Sequence, residues 1–153
     1  MKIHKIHIEQ RFEAPISQIW ETFNQHALFG KMLGQNIVRV SDSTQPDNPD
    51  GVGSIRRIKL PFLSFEETVR KSEKNACIEY QITKGTPLHH HYGTMLFSEN
   101  EKYGSKTALL NYTIELGSRF PLFAAALKIV LQKSIESSLK KYAEGLAKKT
   151  TNA

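Results

Sequence analysis

The chain has 153 residues, enough for one domain of ordinary size and too few for two, which excludes most multidomain enzymes. Hydrophobic residues make up 39% and charged residues 24%, with 9 Gly and 6 Pro, so a disordered or fibrous chain is excluded and a soluble globular domain is expected. The formal charge of +6 would suit nucleic acid, an anionic membrane surface or an acidic ligand, but six lysines after Arg119 face only Glu136 and Glu144, so the C-terminal segment alone carries +4.

The N-terminal MKIHKIHIEQRFEAP has no apolar stretch followed by a small-residue cleavage site, so no secretory signal is expected. The most apolar window, 120–127, is far short of the ~20 residues that span a bilayer, and no transmembrane segment is expected. Cys77 is the only cysteine, which excludes an intrachain disulfide and points to a reducing, cytoplasmic compartment. It lies in an apolar run, where a small buried residue is a better reading than a nucleophile.

Residues 3–9 alternate Ile6 and Ile8 with polar positions, the period of a half-buried strand. Pro15 suits a helix start, and Ile16, Ile19, Trp20 and Phe23 follow helical spacing. HALFGKMLG predicts a second short helical turn before a strand at 36–40, and SDSTQPDNPDG over 41–51 predicts a surface loop. Strand-like runs follow at 53–60, 63–71, 77–83, 90–98 and 106–116, separated by turn chemistry at 60–61, 74–75, 85–87 and 102–105, which predicts an antiparallel meander. From Pro121 to about Lys148, Leu127, Leu131, Ile135, Leu139, Tyr142 and Leu146 fall on one helical stripe, with Val130 and Ala143 widening it, and 150–153 is expected to fray.

The element order is strand, two short helices, strands, long helix, and the local motifs agree with a known family. EAPISQIWETF resembles the first helix of the polyketide cyclase/dehydrase family, in which an Ala-Pro step precedes an apolar-Trp pair. GVGSIRRI, FEETV, IEYQITKGTP, HHHYGTMLF and TALLNYTIEL are similar to that family's successive strands, so the resemblance covers residues 3–148. The family belongs to the START-like (SRPBCC) superfamily, with plant pollen-allergen proteins and lipid-transfer domains. It implies an α+β helix-grip fold: one domain, with a curved antiparallel sheet of six to seven strands wrapped around the C-terminal helix. It also implies a cavity between them for a hydrophobic or aromatic, lipid- or polyketide-like molecule. Members include cyclases, carriers and sensors, so the resemblance leaves catalysis open.

Strand alternation nominates the side chains of such a cavity. Tyr112 should point inward with Leu110 and Ile114, and Tyr80 with Ile78 and Ile82. Phe65 and Val69 bracket Glu67, which puts a carboxylate on the apolar face, where it needs a partner or a raised pKa. Arg56 or Arg57 can supply that partner across a hairpin: alternation with Ile55 favours Arg57, and the family's Gly-x-x-Arg pattern favours Arg56 after Gly53. The pair reads first as an inert cross-strand ion pair, since such pairs are common, and second as a ligand-orienting site. His91 aligns with Gly93, Met95 and Phe97, and Gly93 leaves room for a ligand. His89, His90 and His91 alternate faces, so they do not chelate one metal, and no metal is expected. Trp20, Phe123, Leu127 and Leu131 complete the candidate set as core or cavity wall, and the apolar start of the last helix suits a lid or a homodimer contact.

No nucleophile elbow, phosphate loop or dinucleotide fingerprint occurs, and no cofactor is expected. The leading expectation is a small-molecule binding protein. A cyclase or dehydratase using Glu67 or His91 as base, with an Arg or Tyr stabilising negative charge, is the second. The third is a basic surface that meets anionic lipid or an acidic partner; basic and aromatic residues do not interleave as in single-strand binders, so nucleic acid is not expected.

Overall fold

Ile3–Phe12 (β1) buries Ile6, Ile8 and Phe12 and exposes Lys5, His7, Glu9 and Arg11, so its period-two pattern sets a core face from the first strand. In the computed structural model, which describes residues 1–61, 63–102 and 105–151, the chain continues into two helices, Ile16–Asn24 (α1) and His26–Leu33 (α2). The exposed first turn of α1 is capped from across the fold: the Ile16 amide donates to Glu99 Oε2 at 2.8 Å. Gly34 ends α2 in the left-handed region at φ 69°, and its amide closes on the Gly30 and Lys31 carbonyls.

Six further strands follow: Asn36–Ser41 (β2), Ile55–Lys59 (β3), Ser64–Glu73 (β4), Cys77–Lys84 (β5), His90–Lys102 (β6) and Ser105–Gly117 (β7). They form one seven-stranded antiparallel sheet in the order β1-β7-β6-β5-β4-β3-β2. Each hairpin partner is the neighbour in sequence, while β1 closes on β7 and leaves the two short helices to bridge to the far edge at β2. Register shifts on the β4–β5 pair, between Glu66 and Glu67 and between Val69 and Lys71, bend the sheet where it passes the site. This is the curved sheet of the helix-grip expectation. Of the turn expected at 102–105, Tyr103 and Gly104 lie outside the described residues.

Pro121–Thr151 (α3) runs 31 residues, about 46 Å at 1.5 Å per residue, and packs across β1 and β7 and against α2. Its end lies three residues beyond the expected one; of the expected frayed tail, Asn152 and Ala153 lie outside the described residues. The two halves do different work. Leu139 and Leu146 are buried in the second half, and Tyr142 sets its ring edge-on to Phe12, which with Phe23, Phe29 and Phe97 forms an aromatic core. The first half offers Phe123, Leu127 and Leu131 to a less filled space. Val130, expected to widen the buried stripe, is 62% exposed, because a position one residue before Leu131 is turned about 100° away from it.

Among the described residues no helix is long and apolar enough to cross a membrane.

Candidate functional site

A cavity of about 150 Å³ lies between the inner face of β3–β7, the end of α2 and the first half of α3. Phe29, Ile58, Phe65, Ile82, Ile114 and Leu127 contribute to walls that are almost wholly apolar. Besides Gln35 and Thr86 from connecting segments, four polar side chains interrupt them: Glu67, Tyr80, His91 and Tyr112. Each is on the sheet, so each is aimed by strand alternation and held by a backbone ladder.

Glu67 enters from β4 opposite Arg56 of β3, its register partner. Arg56 Nε donates to Glu67 Oε1 at 2.9 Å, and the guanidinium, 1% exposed, lies between the Phe29 and Tyr80 rings at 4.9 and 4.6 Å from their centroids. This settles the choice that alternation left open. Arg57 is on the other face, half-exposed and paired with Glu66 at 2.8 Å, because Ile55, the residue that seemed to mark the inner face, shares the outer one with it. Burial pushes the Glu67 carboxyl above the usual carboxylate range, and the Arg56 charge offsets part of that rise.

His91 owes its pose to a frayed ladder. Pairing of β5 with β6 stops at Tyr80 and Gly93, which leaves the Ile82 amide without a strand partner; it donates instead to His91 Nδ1 at 3.0 Å. Burial, followed by the Arg56 charge, holds the imidazole down at about 4, so it is neutral near pH 7. A neutral imidazole that accepts at Nδ1 carries its proton on Nε2, and Nε2 stands 4.0 Å from Glu67 Oε2. The hydroxyls of Tyr80 and Tyr112 hydrogen-bond to each other, and burial raises both phenols far above their ordinary range.

Gly93 makes room, but for Tyr80 rather than for a ligand. A Cβ built there would sit 2.3 Å from Tyr80 Cζ.

Behind Arg56 lies a second polar layer that pattern reading missed. Arg56 Nη1 approaches His26 Nδ1 at 3.4 Å, and since a guanidinium only donates, His26 carries its proton on Nε2, 2.9 Å from Ser54 Oγ. Burial, then the Arg56 charge, holds His26 at about 3. The His26 amide, in the first turn of α2, donates to Asp50 Oδ2 at 2.8 Å, while Asp50 Oδ1 takes Arg39 Nη1 at 2.7 Å. Asp50 is thus buried at the end of a segment expected to be surface loop: the helix start needs an acceptor, and the carboxylate that supplies it must come inside. The visible signal was an acidic residue in a polar loop, which spacing alone ties to nothing.

Phe123, Leu127 and Leu131 line the cavity from α3. Arg56, Arg57, Trp20 and Met95, also nominated, do not. Trp20 is buried on the side of α1 that faces the polar groove around Gln45 and Asn48, rotated off the Ile19–Phe23 stripe, and Met95 is fully enclosed in packed core on β6 between Ile78 and Tyr112. Among the described residues no cluster of three His, Cys, Asp or Glu side chains could hold a metal ion.

No protein-family model matches the chain, and no curated protein matches it by sequence. Solved structures do match. Ara h 8.0201 superposes with a TM-score of 0.64 at 11% identity, over 94% of this chain and 99% of its own. The protein XoxI from Bacillus cereus gives 0.67 at 11% identity, over 94% and 95%. Norcoclaurine synthase from Thalictrum flavum, solved in complex with dopamine and hydroxybenzaldehyde, gives 0.60 at 14% identity, over 92% and 86%. At such identities the likeness speaks to fold alone, and there it agrees with the strand order and the long last helix: the chain has the Bet v1-like, START-like helix-grip fold.

Proposed function

We propose that this protein binds a compact hydrophobic or aromatic molecule in the cavity between sheet and α3. The carrying observation is the cavity itself: about 150 Å³, walled by apolar side chains, with a few buried polar groups converging on it. An apolar space of that size is known to accommodate one benzene-sized ring. The same reading includes a polyketide cyclase-like subtype, on the EAPISQIWETF motif, and a reducing cytoplasm as compartment, on the single cysteine Cys77, which is buried.

Toluene titration followed by calorimetry tests the binding, with Leu131→Trp as the filled-cavity control. The wild type should bind and the variant should not. Failure of the wild type to bind any single-ring probe removes the proposal.

A second reading, acid–base catalysis on the bound molecule, is favoured by the 4.0 Å approach of His91 Nε2 to Glu67 Oε2 at the cavity wall. It requires turnover of a candidate carbonyl substrate to vanish in both Glu67→Gln and His91→Ala while the fold survives. Undiminished turnover in both variants excludes these residues from the chemistry.

A further inference from the structure

We propose that the cavity takes a phenol-class ligand, a single aromatic ring whose hydroxyl is clasped between Glu67 Oε2 and His91 Nε2. This rests on the reading that the cavity holds a small apolar molecule, and adds the chemistry that selects it.

Both ends of the clasp are set by bonds made elsewhere. Glu67 lines the cavity and spends Oε1 on Arg56, which leaves Oε2 as the acceptor beside His91. His91 spends Nδ1 on the Ile82 amide, which forces its proton to Nε2 and leaves that atom a donor. Donor and acceptor are 4.0 Å apart, too far to bond each other and close enough for one atom of a ligand to touch both. A hydroxyl oxygen accepts from one and donates to the other at a single atom. An ammonium group has no lone pair for His91, a carbonyl has no proton for Glu67, and a ligand carboxylate would place a second negative charge against Glu67.

The ring follows from the walls. Phe29 and Phe65 flank an apolar space of about 150 Å³, which limits the ligand to about one ring. Tyr80 and Tyr112 hydrogen-bond to each other, which commits one of their two hydroxyl protons within the pair.

Phenol, toluene and anisole separate the possibilities when titrated by calorimetry into the wild-type protein near neutral pH. Phenol loses more hydration than toluene on entering an apolar space, so a cavity without the clasp prefers toluene. The clasp predicts the reverse, with phenol tighter by about tenfold, the scale of a hydrogen bond's net worth. Anisole, which accepts but cannot donate, should group with toluene. In a folded His91→Phe variant the phenol advantage should disappear while toluene still binds; the three-ligand contrast in the wild type decides the matter if that variant does not fold. Toluene or anisole binding as tightly as phenol overturns the clasp and leaves the apolar cavity standing. Binding of none of the three overturns both.

Discussion

Arg56 and Glu67 face each other in register on adjacent strands and bond at 2.9 Å, with Arg56 1% exposed. A buried ion pair in this setting is costly to break and cheap to replace, since removing one partner strands the other charge away from water. Arg56→Met should therefore destabilise the protein by about 3–5 kcal/mol, and adding Glu67→Leu should recover most of that loss. Urea unfolding of the two single variants and the double checks it; additive losses would contradict the pairing.

Acid should unfold the protein through its buried histidines. His26 and His91 sit at about 3 and about 4 when folded, below their ordinary 6.5, so the unfolded chain binds protons that the folded one refuses. Their contribution is intact above 6.5 and is lost as pH falls toward 4, by up to about 1.4 kcal/mol per pH unit for each histidine. Glu67, raised by burial, opposes this in its own titration range. Stability measured between pH 7 and 4 should fall, and His91→Asn should flatten the slope; an unchanged slope in that variant would place the proton uptake elsewhere.

Gly93→Ala should damage the site from behind. The new methyl collides with the Tyr80 ring, over which the Arg56 guanidinium also packs at 4.6 Å. Expected are a loss of about 1–3 kcal/mol in thermal unfolding, as for overpacked cores, and weaker binding of single-ring probes as Tyr80 is displaced. Retained stability and binding would show that the ring has slack.

Asp50→Asn tests the layer beneath the cavity. It removes the charge that faces both the α2 amide of His26 and the Arg39 guanidinium, while keeping a carbonyl acceptor. A cost of about 1.5–3 kcal/mol in urea unfolding is expected, the range for hydrogen bonds to charged groups. Asp50→Ala should cost more, because the amide then loses its acceptor altogether.

Much of this was legible in the residues alone. Alternation in β7 placed Ala108, Leu110, Tyr112, Ile114 and Leu116 on one face, all buried, because a side-chain period of two is dictated by strand geometry. The Ala-Pro step, the helical stripe of α3 and the turn residues between strands carried the helix-grip order for the same local reason. Periodicity and turn chemistry act over a few residues, and sequence displays them directly.

What acts across the chain was decided only by the tertiary structure. Arg56 was separated from Arg57 by the pairing of β3 with β4, in which Ile55 turns outward and Arg56 meets Glu67, and Gly93 was assigned to Tyr80 by a strand register. The His91 proton was set by a ladder that stops two residue pairs short of Ile82 and His91, and Asp50 was drawn inward by a helix start 24 positions earlier. Each depends on which backbone groups lack partners once the sheet has curled, a quantity that exists only after distant segments meet. The composition pointed to a core and the pattern to the elements around it; the pairing of unsatisfied groups set the polar geometry of the cavity wall.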